Sequence, residues 1–338
     1  MNPNTLLNTR QVYSDDRLRL VARLYYTDGL AQSEVARFTK VSQAKVSRLL
    51  ALARERGIVR ITVADYEPRR PEIEVQLCAR LGLALAVVIE VSEGLDAADL
   101  RRAIGHFAAP AVDSLIQPQD IVALAGGRTI HELVNHLPAG RSKGLTIVQA
   151  MGSVDSSVNI FDAQEVGRVM AQRLGGAFLA LNTPAFLPEK RTRDALLELE
   201  QVRKIHDHLG RAHAAIIGLG TLENSVFVER GGLPAKAIAA LQRAGAVGEL
   251  CGRFIDAQGR ECDTPWRDRV IGVPVELLRK IPQVIGVVSG SDRTSAIIAA
   301  IEGGLLKSLI IDEAGAIALQ AATNSFVAKT QKTKKVKK

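Results

Sequence analysis

From residue 84 onward the chain alternates between two kinds of segment, and this alternation limits the possible folds more than any other feature. Seven short, mostly aliphatic runs fall at 84–91, 121–125, 145–150, 177–181, 214–218, 284–289 and 308–312. Helical spacing of apolar residues marks 72–81, 97–115 and 129–137. Aliphatic strands separated by helices predict a parallel, doubly wound α/β sheet. Aromatic residues make up only 4% of the chain and hydrophobic residues 47%. The core is therefore built from Ala, Val, Leu and Ile, as suits central strands covered on both faces.

A chain of 338 residues predicts two domains, and the first 66 residues have a different texture. A helix is expected from Asp15 to about Asp28, capped by Ser14 and ended by Gly29, and a shorter one from Gln32 to Phe38. After the turn Thr39-Lys40-Val41, Ser42 caps a third helix that stops at Gly57. Val46, Leu49, Leu50 and Ala53 line one of its faces. The opposite face carries Ser42, Gln43, Lys45, Ser47 and Arg48.

Two short helices joined by such a turn form a helix-turn-helix, whose second helix enters the DNA major groove. Gln and Arg can read base edges, and Ser and Lys can hold phosphates. A plain solvated helix face competes with this reading. Three features favour DNA: the N-terminal position, a strand expected over 58–63 as a wing, and local charge. Residues 1–66 hold 11 Lys/Arg against 6 Asp/Glu, on a chain of net charge +8. Pro68 and Pro71, flanking Arg69-Arg70, mark the boundary. The expected organisation is a winged helix-turn-helix over 1–66, an effector-binding and oligomerisation domain over 67–325, and a lysine-rich basic tail over 326–338.

The N-terminus lacks a long apolar core, and no run approaches 18 apolar residues, so a cytoplasmic protein with no membrane partner is expected. Cys78, Cys251 and Cys262 are odd in number and scattered, as reduced structural thiols would be. Their spacing makes no zinc site. His206 and His208, two residues apart, share no helix face, and they read as a surface helix end. No cofactor or metal is expected.

Open parallel sheets bind ligands beyond the carboxyl ends of their strands. Three strand-to-helix turns there suit an anion. Gly126-Gly127-Arg128-Thr129 combines close backbone approach, free helix-start N–H groups and two side-chain donors. Ser289-Gly290-Ser291-Asp292-Arg293 offers a guanidinium suited to phosphate. Gly152, Ser153, Ser156 and Ser157 form the third. Gly218-Leu219-Gly220 invites a dinucleotide reading but lacks the third glycine and comes late in the chain.

Taken together, EVARFTKVSQAKVSRLLALARERGIVRITV, LAGGRTI, VGELCGRFIDAQG and VIGVVSGSDRTSAIIAAIEGGLLKSLIIDEAGA resemble the SorC family of bacterial transcription regulators, over about residues 15–325. The resemblance implies a winged helix-turn-helix joined to an effector domain similar to sugar-phosphate isomerases and deaminases. It implies a homo-oligomer, typically a tetramer, and a sugar, sugar phosphate or polyol effector that alters binding to double-stranded operator DNA. Gly126, Gly127, Arg128 and Thr129 fall on the family's phosphate-side loop. Glu249 falls where an acidic residue faces sugar hydroxyls. Arg293 stands where a lysine is more common, Ser291 where glycine is common, and Ala31 where a capping Thr is usual. An enzyme of the isomerase or deaminase type, carrying a DNA-binding domain, is the alternative. It would need a general base such as Glu249 or Asp263 beside a His, and His131 sits inside a helix.

Overall fold

The computed structural model describes residues 13–323 apart from 63, 65, 93, 141, 156–158 and 230–231. The expected basic tail and Ser156 and Ser157 thus lie outside the described residues. The chain divides between Tyr66 and Glu67 into two compact units.

In the first unit, α1 (Asp15–Ala22) runs on through a π-helical turn at Arg23–Thr27, followed by α2 (Gln32–Thr39) and α3 (Gln43–Glu55). Leu18, Val21, Val35, Val46, Leu49 and Ala53 are fully buried and make its small core. Ser14 occupies the N-cap of α1, but its side chain makes no capping bond. Instead Arg56 closes that end, donating to Tyr13 O and Asp15 Oδ1 at 2.9 Å each. Ala31 has no side-chain acceptor for the start of α2, and only the reciprocal half of a capping box remains, with Glu34 accepting the Ala31 N–H at 2.9 Å.

The strand expected over 58–63 is not formed among the described residues. The Ile58 and Val59 N–H groups both turn back to Ala53 O, at 2.9 and 3.1 Å, and seal the end of α3. Amides spent on a helix terminus cannot enter a ladder, and residues 60–62 are irregular.

The second unit is a seven-stranded sheet in the order β1-β9-β8-β5-β2-β3-β4. Its strands are β1 (Leu85–Ile89), β2 (Ile121–Leu124), β3 (Thr146–Gln149), β4 (Ala177–Leu179), β5 (Ala214–Ile217), β8 (Gln283–Val287) and β9 (Ser308–Asp312). Every neighbouring pair is parallel. From β2 the chain moves outward to β3 and β4; from β5 it moves the other way, to β8 and β9. The topological switch point therefore lies between β2 and β5. The helices are α4 (Pro71–Leu81), α5 (Ala97–Leu115), α6 (Arg128–His136), α7 (Ala163–Leu174), α8 (Lys190–Leu197), α9 (Glu200–Leu209), α10 (Val226–Glu229), α11 (Ala235–Arg243), α12 (Val275–Lys280), α13 (Thr294–Glu302) and a last helix over 313–323.

The antiparallel hairpin of β6 (Gly248–Leu250) and β7 (Arg253–Ile255) departs from the strand–helix alternation expected from the sequence. Its two-residue turn is Cys251-Gly252, with φ of +50° and +81°. Such hairpins are usually announced by Asn-Gly or Asp-Gly, and Cys-Gly is not that signal.

The start of the second unit is fastened by ion pairs. Arg69 makes a two-pronged pair with buried Glu74, at 2.8 and 2.6 Å, and Glu74 also accepts the Val88 N–H at 2.9 Å. Arg70 pairs with Glu313 at 2.8 Å. Asp312 accepts the Gly290 N–H at 2.6 Å.

The contact that sets the site is between α5 and α6. Gly105 lies so close to α6 that a Cβ there would stand 2.5 Å from Glu132 C and 2.6 Å from Leu133 N. Backbone cannot move aside as a side-chain tip can. Gly105→Ala is therefore expected to force the helices apart and destabilise the second unit by about 1–3 kcal/mol. A lowered urea midpoint with unchanged slope would show this, and a wild-type midpoint would exclude the close approach.

Candidate nucleic-acid interface and effector pocket

In the first unit, Ser42 caps α3, its hydroxyl accepting the Lys45 N–H at 3.3 Å. Ser42, Gln43, Ser47 and Arg48 are exposed, and Arg48 Nε reaches back to Ala44 O at 3.4 Å. Lys45 is half-buried, with its ammonium 5.3 Å from the Tyr13 ring centroid. The polar face read from the sequence is thus presented on the surface of a helix whose other face is locked into the core. Phe38, at the end of α2, is 66% exposed.

In the second unit, a cavity of about 360 Å³ opens at the carboxyl ends of β2, β3, β5 and β8. Its lining includes Gly126, Gly127, Arg128, Thr129, Gly152, Ser153, Glu249, Ser289 and Arg293 from the sequence reading. Ser291 is not brought to it: it is exposed, and its carbonyl accepts the Thr294 hydroxyl at 2.9 Å.

The Gly126-Gly127 turn serves backbone geometry. A Cβ on Gly126 would meet Ala163 N at 2.6 Å and Phe161 O at 2.7 Å, while Gly127 holds φ +132°. This delivers α6 with the N–H groups of its first turn lacking intrahelical acceptors, an arrangement that attracts anions. The Thr129 and Ser289 hydroxyls, from two separate turns, stand 3.4 Å apart.

Three guanidiniums line this cavity. Arg101 was not singled out in the sequence; it sits one turn before Gly105 on the same face of α5. The close helix contact at Gly105 therefore carries Arg101 toward the start of α6. The Arg101 guanidinium is held below the usual arginine range, first by burial and then by the positive charges of Arg128 and Arg293. Among the described residues it has no hydrogen bond or ion pair. Arg128 is paired with Glu229 at 2.6 Å. Arg293 is turned onto its own surroundings, donating to Leu219 O (3.0 Å), Ser289 O (2.8 Å) and Asp292 Oδ1 (2.6 Å). It latches the turn after β5 to the turn after β8. Asn224 strengthens this latch by donating to Asp292 Oδ2 at 2.6 Å.

Glu249 is buried and reaches the cavity from the β6–β7 hairpin. Its strand exchanges backbone bonds with Gly220, 2.8 Å each way. Glu249 Oε1 accepts the Gly252 N–H at 2.6 Å and Oε2 accepts the Ser225 hydroxyl at 3.3 Å. Burial pushes its carboxyl above the usual range despite both bonds. Each oxygen keeps capacity for one further donor. Burial, followed by the nearby Glu249 charge, pushes the Cys251 thiol up to about 12.

Gly218, Leu219 and Gly220, which follow β5, also line the cavity. They make no dinucleotide motif, since the third glycine is missing. Their position directly after an aliphatic strand was the signal that placed them at this edge. His206 lies outside the cavity lining; its ring is pushed toward the neutral form by burial. Among the described residues no helix is long and apolar enough to cross a membrane, and no group of three or more His, Cys, Asp or Glu could hold a metal ion.

Residues 69–320 match the Sugar-bind family, described as "Putative sugar-binding domain". The deoxyribonucleoside regulator of Bacillus subtilis (strain 168) is 29% identical over 299 residues, which cover 88% of this chain and 95% of that protein. The sorbitol operon regulator of Klebsiella pneumoniae is 26% identical over 307 residues, covering 88% and 96%. The full-length structure of the sorbitol operon regulator SorC from Klebsiella pneumoniae matches with a TM-score of 0.72 at 27% identity, over 91% of this chain and 99% of that one. With a helix-turn-helix in its first unit and a cavity at the sheet edge of its second, the chain belongs to the SorC family of sugar-binding transcriptional regulators.

Proposed function

We propose that this protein regulates a carbohydrate or polyol catabolic operon, and that its effector is a phosphorylated sugar or polyol. The observation that carries the phosphate is the meeting of Arg101, Arg128 and Arg293 with the first turn of α6 at the switch point of the sheet. In this reading the phosphate docks on the α6 N–H groups, Arg101, Arg128 and Thr129. Gly126, Gly127, Gly152, Ser153 and Ser289 shape the walls. Glu249 accepts hydrogen bonds from sugar hydroxyls. Arg293 acts by holding the two turns together. Ser291 is set aside from the contacts, because it stands outside the cavity.

Sensing fits the pocket better than turnover. The Cys251 thiol stays protonated at neutral pH and is no ready nucleophile, and among the described residues lining the cavity no histidine stands beside Glu249 to complete an acid–base pair. Ser42, Gln43, Lys45, Ser47 and Arg48 are proposed to contact operator DNA. One small helix-turn-helix offers little interface, so two or more subunits are expected on a near-palindromic site. The domain roles follow: DNA binding over 1–66, effector binding and assembly over 67–325.

Three outcomes are expected. Arg101→Ala should lose most of the thermal stabilisation that sugar phosphates give the wild type while leaving operator binding intact. An unchanged phosphate response would remove Arg101 from the site. The double variant Gln43→Ala/Arg48→Ala should weaken operator binding by about 1–3 kcal/mol per lost base contact, read by gel-shift titration. Normal binding would exclude α3 as the reading helix. Light scattering should show a dimer or larger species, and a monomer with and without DNA would contradict the assembly.

A further inference from the structure

The contact between Arg128 and Glu229 does more than neutralise a surface charge. Both residues line the cavity, yet they come from elements 101 positions apart: the first residue of α6 and the last residue of α10. The other end of α10 is held independently. Buried Ser225 donates to Glu249 and accepts the Phe227 N–H at 3.2 Å, and Phe227 stands edge-on to Trp266 with ring centroids 5.1 Å apart. The helix therefore does not need the Arg128 contact to keep its place. The pair itself is single-pronged, with side chains 45% and 38% exposed. Exposed pairs of this kind are weak and exchange readily for another partner.

We propose that Glu229 is a specificity-determining residue that occupies Arg128 as an internal counter-ion and must be displaced when an anionic effector docks. A monoanionic carboxylate on an arginine sets a threshold. A neutral sugar offers nothing to replace it, whereas a phosphate ester carries close to two negative charges at neutral pH and three acceptor oxygens. Arg101 makes no hydrogen bond or ion pair among the described residues, and Asp96 and Glu132 act on it only at longer range, so it supplies the first attraction. Arg128 is then transferred from Glu229 to the phosphate, and the released carboxylate swings to solvent. Every charge remains balanced: Arg128 exchanges one anion for another, and Glu229 gains water in place of a guanidinium. This inference rests on the reading of the cavity as a phosphate site.

Titration of the full-length protein with inorganic phosphate, followed by calorimetry, tests it. Glu229→Gln is expected to bind phosphate about fivefold more tightly than wild type, the scale set by an exposed ion pair. Glu229→Asp keeps the negative charge but shortens its reach to Arg128. It is expected to tighten binding toward the Gln value. Tightening in the Gln variant with wild-type affinity in the Asp variant would mean that remote charge alone is responsible, and would overturn the proposal. Unchanged or weaker binding in Glu229→Gln would overturn it too. If neither wild type nor variants bind phosphate while a neutral polyol such as ribitol does bind, the phosphate reading itself falls, and the displacement with it.

Discussion

The parallel ladder between β2 and β5 fixes the effector unit. Val122 pairs with Ala214 and Leu124 with Ile216, and the ladder is prolonged by the Ala125 N–H donating to Ile216 O at 3.0 Å. The two strands run side by side, but their connections leave in opposite directions, so the turns beyond them cannot close over the gap. That gap is the cavity. The helix after β2 starts at its rim with unpaired N–H groups, and the hairpin β6–β7 fills the side beyond β5 through the Glu249–Gly220 exchange. The free N–H groups at the start of α6 and the buried carboxylate of Glu249 are thus brought to one cavity by the topology of the sheet.

Much of this was legible in the sequence because it depends on local chemistry. The seven aliphatic runs all became strands of one sheet, and the helix expected over Ala97–Leu115 spans those residues. Gly126-Gly127-Arg128-Thr129 reached the cavity because a strand-to-helix turn has nowhere else to go in a parallel sheet. What stayed hidden depends on contacts across the fold. Arg101 looks like any helix arginine until Gly105 brings α6 against it. Glu229 lies in a four-residue helix with no periodicity to detect. Arg293 lines the cavity, as its type and position suggest, but its bonds to Leu219 O and Ser289 O, which tie two turns together, are revealed by no residue pattern. The strand over 58–63 failed for a local reason: alternating apolar residues suggested a strand, but the helix terminus claimed the first two amides.

The two units solve different problems with the same few residue types. In the first, Ala, Val and Leu at helical spacing make a core of a few side chains, and contacts such as Arg56 with Tyr13 and Asp15 close the helix ends. In the second, a large aliphatic core tolerates costly features at its edge: a buried carboxylate at Glu249, a left-handed Cys251, and guanidiniums that repel one another. Backbone strain and crowded like charges of this kind persist only where the surrounding fold is rigid enough to impose them.

The ion pairs at the start of the effector unit have a mechanical meaning. Asp312 holds the turn between β8 and α13 through the Gly290 N–H, and the very next residue, Glu313, holds Arg70 in the segment that follows the unit boundary. Two anchors on consecutive residues share one peptide bond. The cavity turn and the segment leading into α4 are therefore fastened to a single rivet at the end of β9.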